Sequence, residues 1–459
     1  MDNKIFIEHI QKRIERMIMQ KNYNILIIGN GFDLAHGLPT TYSDFLDFGE
    51  KVNRIFANDK EISVNEYTSK NLVNWHINDV IKTILKEVYE NRTFESGLET
   101  KEQRVSTRNA YIDEIHELIA NNIWYKYFLD CRSEIGENWI DFESEISKVI
   151  QALEYARAKA DMEVSFNKLK ENVQQRLIAI TKNEKQGVQE ICSSIQKIDH
   201  LASDLNKELI RLIRALEIYI SEFVEKIEIY KTSPDITDMH VDRLLSFNYS
   251  NTFESIYGSG MGIEYDYIHG KADISNNIYT NNMVLGIDEY LDDERKDKDT
   301  AFISFKKFYQ RIYKCSTMKA KEWSREIKQE EENTKFSRKF LREKQIEYEI
   351  VSQTYNWDAF EKQILARTKE FDEKHIKHKL FIFGHSLDVT DKDILRDLIL
   401  NDNVETTIYY YSKTGQDKGD FGNKIANLTK VIGEEELVKR TSEHTIIFKK
   451  MRDLVDRQK

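Results

Sequence analysis

Proline is almost missing from this chain of 459 residues, Pro39 and Pro234 being the two that occur. With so few breakers most of the chain is open to helix, and the places where glycine and proline do stand mark turns that something requires. Cysteine is scarce as well. Cys131, Cys192 and Cys315 lie far apart, form no CxxC pair and make no even disulfide set, which excludes a four-cysteine zinc module and suits a reducing, cytoplasmic compartment. No stretch reaches the roughly 18 uninterrupted apolar residues that cross a bilayer. Segment 1–20 alternates charged and apolar residues at helical spacing, which reads as a short amphipathic helix rather than a signal peptide. A membrane partner is not expected. Basic excess is absent too: 68 Lys and Arg face 79 Asp and Glu, for a net charge of −11, which argues against sequence-independent binding of nucleic acid. HxxxH and HExxH pairs do not occur, so no metal is expected.

What is present points to a globular protein of more than one lobe: 40% hydrophobic and 32% charged residues over a length above the usual 100–200 of a domain. Asn24-Ile25-Leu26-Ile27-Ile28 reads as a buried strand that stops at the turn Gly29-Asn30-Gly31. Further strands are expected at 242–247, 265–268, 283–286, 379–383, 404–411 and 444–448. From Asn74 to Ile229 apolar residues recur at spacings of three and four, which predicts a long helical insertion. Its stretch 168–228 is polar enough to stand out as hairpins or a coiled-coil arm. The mixed-charge run 319–347 reads as a solvated helical face. The fold class that follows is α/β, a doubly wound parallel sheet interrupted by a helical insertion. Its parts are 1–73 as the first piece of a nucleotide-binding core, 74–240 as the insertion, 241–318 as core, 319–372 as a helical segment and 373–459 as the last piece of core.

The Gly29-Asn30-Gly31 turn stands where open α/β sheets bind ligands, at a strand's carboxyl end entering a helix whose free N–H groups face a phosphate. Leu34 occupies the third glycine position of GxGxxG, so the dehydrogenase fingerprint is incomplete, and a tight turn without ligand is the alternative. Asp33, His36, Gly37, Pro39 and Thr40 follow at once, an ensemble that chain reversal alone does not need. Gly384-His385-Ser386-Leu387-Asp388 lacks the last glycine of a nucleophile elbow; it reads either as a nucleotide contact through Gly384 and Ser386 or as a helix cap by Ser386 or Asp388. His36, His269 and His385 with Asp33 and Asp388 are metal-competent but carry no metal spacing. Asp141 and Glu143, two apart, are accounted for by a helix start.

The stretch Gly29 to Phe45, together with Ser246-Phe247-Asn248-Tyr249-Ser250 and Phe383-Gly384-His385-Ser386-Leu387-Asp388, resembles the AbiH family of abortive-infection proteins that act against phage. More distantly, Gly29-Asn30-Gly31 with Gly37-Leu38-Pro39-Thr40, Asn248-Tyr249, His269-Gly270 and Gly384-His385-Ser386, in that order, is similar to sirtuin-like NAD-consuming defence proteins. The second resemblance implies a Rossmann-like, sirtuin-like core and an N-glycosidase with NAD as substrate. Asn248 would orient a water or ribose hydroxyl and His269 would be the general base. The nucleotide would be held by Gly29, Asn30, Gly31, Phe32, Asp33, Thr40, Ser250, Gly384, Ser386 and Asp388. Asn30 and Ser250 depart from that pattern, and Asp33 would supply the carboxylate missing at Ser250. An ordinary strand-end histidine is the plain alternative for His269. A nucleotide sensor or scaffold without turnover is the alternative function, and a deacylase fits less well for want of the cysteines. The helical insertion would meet a phage component or defence partner, or pair copies of the chain.

Overall fold

Four consecutive apolar side chains at Ile25–Ile28 can all be buried only in a strand covered on both faces, and each is at most 1% exposed. The computed structural model describes residues 22–457 apart from 58–62, 76, 95–106, 136–139, 163, 183–184, 259–261, 289–299, 315, 317–318, 333–334, 336–338, 340–377 and 413–418. The expected N-terminal helix, and most of the segment 319–372, lie outside the described residues.

Six parallel strands form the sheet: β1 (Asn24–Ile28), β2 (Arg243–Ser246), β3 (Glu264–Tyr267), β4 (His378–Phe383), β5 (Val404–Tyr410) and β6 (Ile446–Lys450). Their order is β3-β2-β1-β4-β5-β6. Ile28 lies beside Ser246 on one side and Phe383 on the other. The chain therefore builds outward from β1 in one direction and then crosses to build in the other. That reversal opens a crevice beyond the carboxyl ends of β1 and β4.

Among the helices that pack around the sheet and beside it, those that bear on the site are α1 (Asn30–Ala35), α2 (Tyr42–Phe56), α3 (Phe142–Asp161), α4 (Ile195–Ile218), α5 (Lys307–Tyr313), α6 (Lys392–Ile399) and α7 (Gly419–Ile432). The two faces of the sheet follow the period of two. Ile25 and Ile27 pack with Leu395 and Leu398 of α6 and Leu428 of α7, whereas Leu26 and Ile28 pack with Phe32, Ile236 and Phe253.

A third and larger core is helical, and it reaches the sheet's loops through Leu38, Met283 and Leu285. Here two expectations fail. Segment 168–228 is no projecting arm: α4 buries Ile198, Leu205, Leu209 and Leu212, a stripe at helical spacing, in that core. Polarity misled because the opposite face of α4 is wet. Residues 283–286 are not a strand either. Gln310 of α5 takes both backbone groups of Leu285, accepting from its N–H at 3.1 Å and donating to its C=O at 3.0 Å, so a side chain fills the place of a neighbouring strand. The last strand begins at Ile446 rather than at His444, whose φ of +57° ends the preceding helix. Among the described residues no helix is long and apolar enough to cross a membrane.

Candidate functional site

The glycine turn is built for a protein neighbour before any ligand. The Gly31 N–H donates to the Gly384 C=O at 2.8 Å and the Phe32 N–H to the Gly29 C=O at 2.8 Å. The expected row of free N–H groups facing a phosphate is thus partly consumed inside the chain. A Cβ on Gly31 would lie 2.8 Å from the Gly384 oxygen, and one on Gly384 would lie 2.1 Å from the Phe32 nitrogen. Glycine is required there so that the loops after β1 and β4 can touch, and Gly384 adds a φ of +66°.

Around these loops opens a cleft of about 750 Å³ lined by Gly29, Asn30, Gly31, Asp33, Thr40, Asn248, Ser250, His269, Gly384, Ser386 and Asp388. The sequence motifs scattered over more than 350 positions therefore meet at one place. Phe32 is the exception among the expected contacts: its ring packs against His36, Phe253, Tyr257 and Phe383 and belongs to the core. His36 is structural as well, with Nδ1 2.7 Å from the Phe32 C=O and Nε2 2.7 Å from the Tyr257 hydroxyl. Thr40 donates to Asn30 Oδ1 at 2.6 Å and ties the second loop to the first. Asp388 caps the turn Val389–Asp391 by accepting from the Thr390 N–H at 3.0 Å while also facing the cleft.

Asn248 donates through Nδ2 to the Gly29 C=O at 3.0 Å, which fixes its amide so that Oδ1 is left over. Ser250 donates to Asp33 Oδ2 at 2.6 Å. Four buried atoms at the cleft then have no hydrogen-bond partner; Asp391 Oδ1 faces the His269 imidazole, which leaves Asp33 Oδ1, Asn248 Oδ1 and His269 Nδ1. Their residues are 1%, 5% and 7% exposed, so bulk solvent is largely kept from them. An unsatisfied buried polar group costs about 1–3 kcal/mol, and three at one cleft is what a site awaiting hydrogen-bond donors looks like.

Asp391 was not foreseen. It stands between two imidazoles, with Oδ1 3.6 Å from His269 Nε2 and Oδ2 3.4 Å from His385 Nε2. The Leu387 N–H donates to His385 Nδ1 at 2.9 Å, so in neutral His385 the proton sits on Nε2, toward Asp391. Burial alone would raise the Asp391 carboxyl, but the two imidazoles and Lys307 hold it well below the usual carboxylate range. His269 goes the other way: burial, helped by Lys307, brings it down to about 4, so it is neutral at pH 7 and keeps a lone pair.

The profile of the bacteriophage abortive infection AbiH family matches residues 25–412. The chain belongs to the AbiH family. Its place is therefore in anti-phage defence by abortive infection. Nothing among curated proteins or solved structures matches it.

In this AbiH chain the helical insertion supplies the other wall of the cleft, through Asp141 and Glu143 at the start of α3, Leu216 in the last turn of α4 and Ile220 just past its end. The two acids do mark a helix start, since Asp141 accepts from the Ser144 N–H at 3.2 Å. They also face the cleft, which the helix-start reading left out. Glu143 lies 2.7 Å from Lys307 of α5, and burial pushes its carboxyl up to about 7 against the pull of that ammonium. Burial likewise pushes Asp33 up to about 6, although Ser250, Thr252 and Asn248 pull it back. Among the described residues no cluster of His, Cys, Asp or Glu forms a metal site.

Proposed function

We propose that this AbiH protein hydrolyses the N-glycosidic bond of NAD or a related nucleotide, on a Rossmann-like, sirtuin-like core, and depletes that cofactor on infection. The observation that carries the reading is the trio of buried, unpartnered acceptors, Asp33 Oδ1, Asn248 Oδ1 and His269 Nδ1, at one cleft. A ribose diol and a carboxamide present hydrogen-bond donors; phosphate oxygens do not. The strand order supports the reading too, because the cleft lies where the order reverses, the usual ligand position of doubly wound sheets.

Neutral His269, its Nε2 turned to Asp391, would take a proton from water at Nδ1 as the water adds to the ribose anomeric carbon. The breaking C–N bond leaves its electron pair on nicotinamide, which departs neutral and needs no acid. Ionised Asp391 offsets positive charge developing on His269 and the ribose. Asn248 and Asp33 would hold the sugar, and their placement rather than covalent chemistry would supply most of the acceleration.

A nucleotide sensor or scaffold without turnover draws support from one contact between the layers. The Tyr219 hydroxyl, at the end of α4, donates to the Pro39 C=O at 2.8 Å, so the loop carrying Thr40 is tied to the insertion. Following NAD and nicotinamide through infection, in cells carrying wild type or His269→Ala, separates the two. The enzyme predicts NAD loss and protection in wild type and neither in the variant. Protection by His269→Ala with NAD intact would leave the sensor.

A further inference from the structure

We infer that the same cleft accepts purine ribosides, with Glu143 as the acid that protonates the departing base. This rests on the N-glycosidase reading and names a second substrate class for it. Glu143 reaches the cleft from the first turn of α3, whereas Asn248 and His269 follow strands of the sheet, so the acid and the base come from different layers. NAD gives such an acid nothing to do, since nicotinamide leaves without a proton. A neutral purine is a poor leaving group unless a ring nitrogen is protonated as the bond breaks, and that step calls for a carboxylic acid at the base-binding end.

The surroundings of Glu143 suit that task. Its carboxyl is paired with Lys307, which is 3% exposed, and Asp391 and Asp141 add negative charge nearby. Tyr42 and Tyr249, both close enough to feel the Glu143 charge, line the cleft with Ile140 and offer a largely apolar wall to a planar base. Glu143 is held near neutrality while Asp391 stays ionised, the division of labour expected of an acid and a charge stabiliser. In the step itself, the bond from the ribose carbon to purine N9 breaks and its electron pair goes to the base. The Glu143 O–H proton passes to a purine ring nitrogen. Water adds its oxygen to the ribose carbon and gives its proton to His269, and solvent returns that proton to Glu143.

The test uses the purified full chain with three probes: NAD, guanosine 5′-monophosphate, and the same nucleotide methylated at N7, whose base already leaves neutral. Wild type should release guanine, and Glu143→Gln should raise the ratio of 7-methylguanine to guanine release by about 100-fold, the range of general-acid effects. A folded variant in which both rates fall alike, leaving the ratio unchanged, overturns the role given to Glu143. Nicotinamide release by wild type without guanine release overturns the purine substrate but leaves the glycosidase standing. No release from any probe removes both. Should Glu143→Gln prove insoluble, wild type decides by its pH profile. Guanine release must fall above about pH 7 relative to nicotinamide release, whose leaving group needs no acid, and parallel profiles contradict the proposal.

Discussion

The carboxyl edge of the sheet leaves three buried acceptors unpaired at one cleft, whereas the helical wall facing it pairs the charges it buries. Asp33, Asn248 and His269 each keep an atom without a partner. Across the cleft, the Arg214 guanidinium at the end of α4 lies 2.9 Å from Glu114 and 2.8 Å from Glu217, and Glu217 in turn accepts from Asn276 at 2.8 Å. Trp124 donates to the Leu205 C=O at 2.8 Å in the same core. The contrast separates a surface shaped for something from outside from a scaffold that holds it in place. Substitutions should therefore differ in sign between the two.

The largest expected loss is in the scaffold. Arg214→Ala leaves Glu217, which is 0% exposed, without its main counter-charge, and should cost about 3–5 kcal/mol in denaturant unfolding. A loss under about 1 kcal/mol would mean that the helical wall is not the rigid partner. At the junction, Gly384→Ala meets both a left-handed backbone and the Phe32 nitrogen, and should cost about 2–4 kcal/mol. Full stability there would show that the two loops need not touch.

The sheet edge should respond with the opposite sign. Burial holds the Asp33 carboxyl above its ordinary 3.8, so the folded state binds more protons between roughly pH 4 and 6. Its contribution is thus most favourable below 3.8 and is lost as pH rises through about 6. Asp33→Asn, which cannot ionise, should be more stable than wild type at pH 7 by up to about 3 kcal/mol, from about two pKa units at 1.36 each. The gain should fade toward pH 4, and a variant less stable than wild type at pH 7 would erase the contrast. Smallest is Tyr219→Phe, which removes the hydroxyl that donates to Pro39 and should cost about 1 kcal/mol by the same unfolding measurement.

The same division decides what could be read from residues alone. Gly29-Asn30-Gly31, Asn248, His269 and Gly384 each follow a strand, so a local pattern locates them and the parallel topology brings them together. Six of the seven expected strands are present, and the missing one at 283–286 depends on Gln310, some 25 positions away, for which no local signal exists. Asp391 lies on a short turn after Asp388, and nothing in its neighbours announces that two distant imidazoles converge on it. Glu143 was visible as one of two acids, but its partner Lys307 stands 164 positions further on, and without it the pair looked like an ordinary helix start. Phe32 errs in the other direction, because its place in the motif suggested a ligand contact where the ring serves the core.

The central claim is that the unpartnered acceptors of the sheet edge hold the ribose of a nucleotide whose glycosidic bond is then cut. Mass spectrometry of NAD incubated with purified wild type, Asn248→Ala and His269→Ala tests it most directly. Nicotinamide and ADP-ribose should accumulate in equal amounts with wild type, and their rate should fall by about 100-fold or more with each variant. Intact NAD with folded wild type, or equal rates in all three proteins, would contradict it.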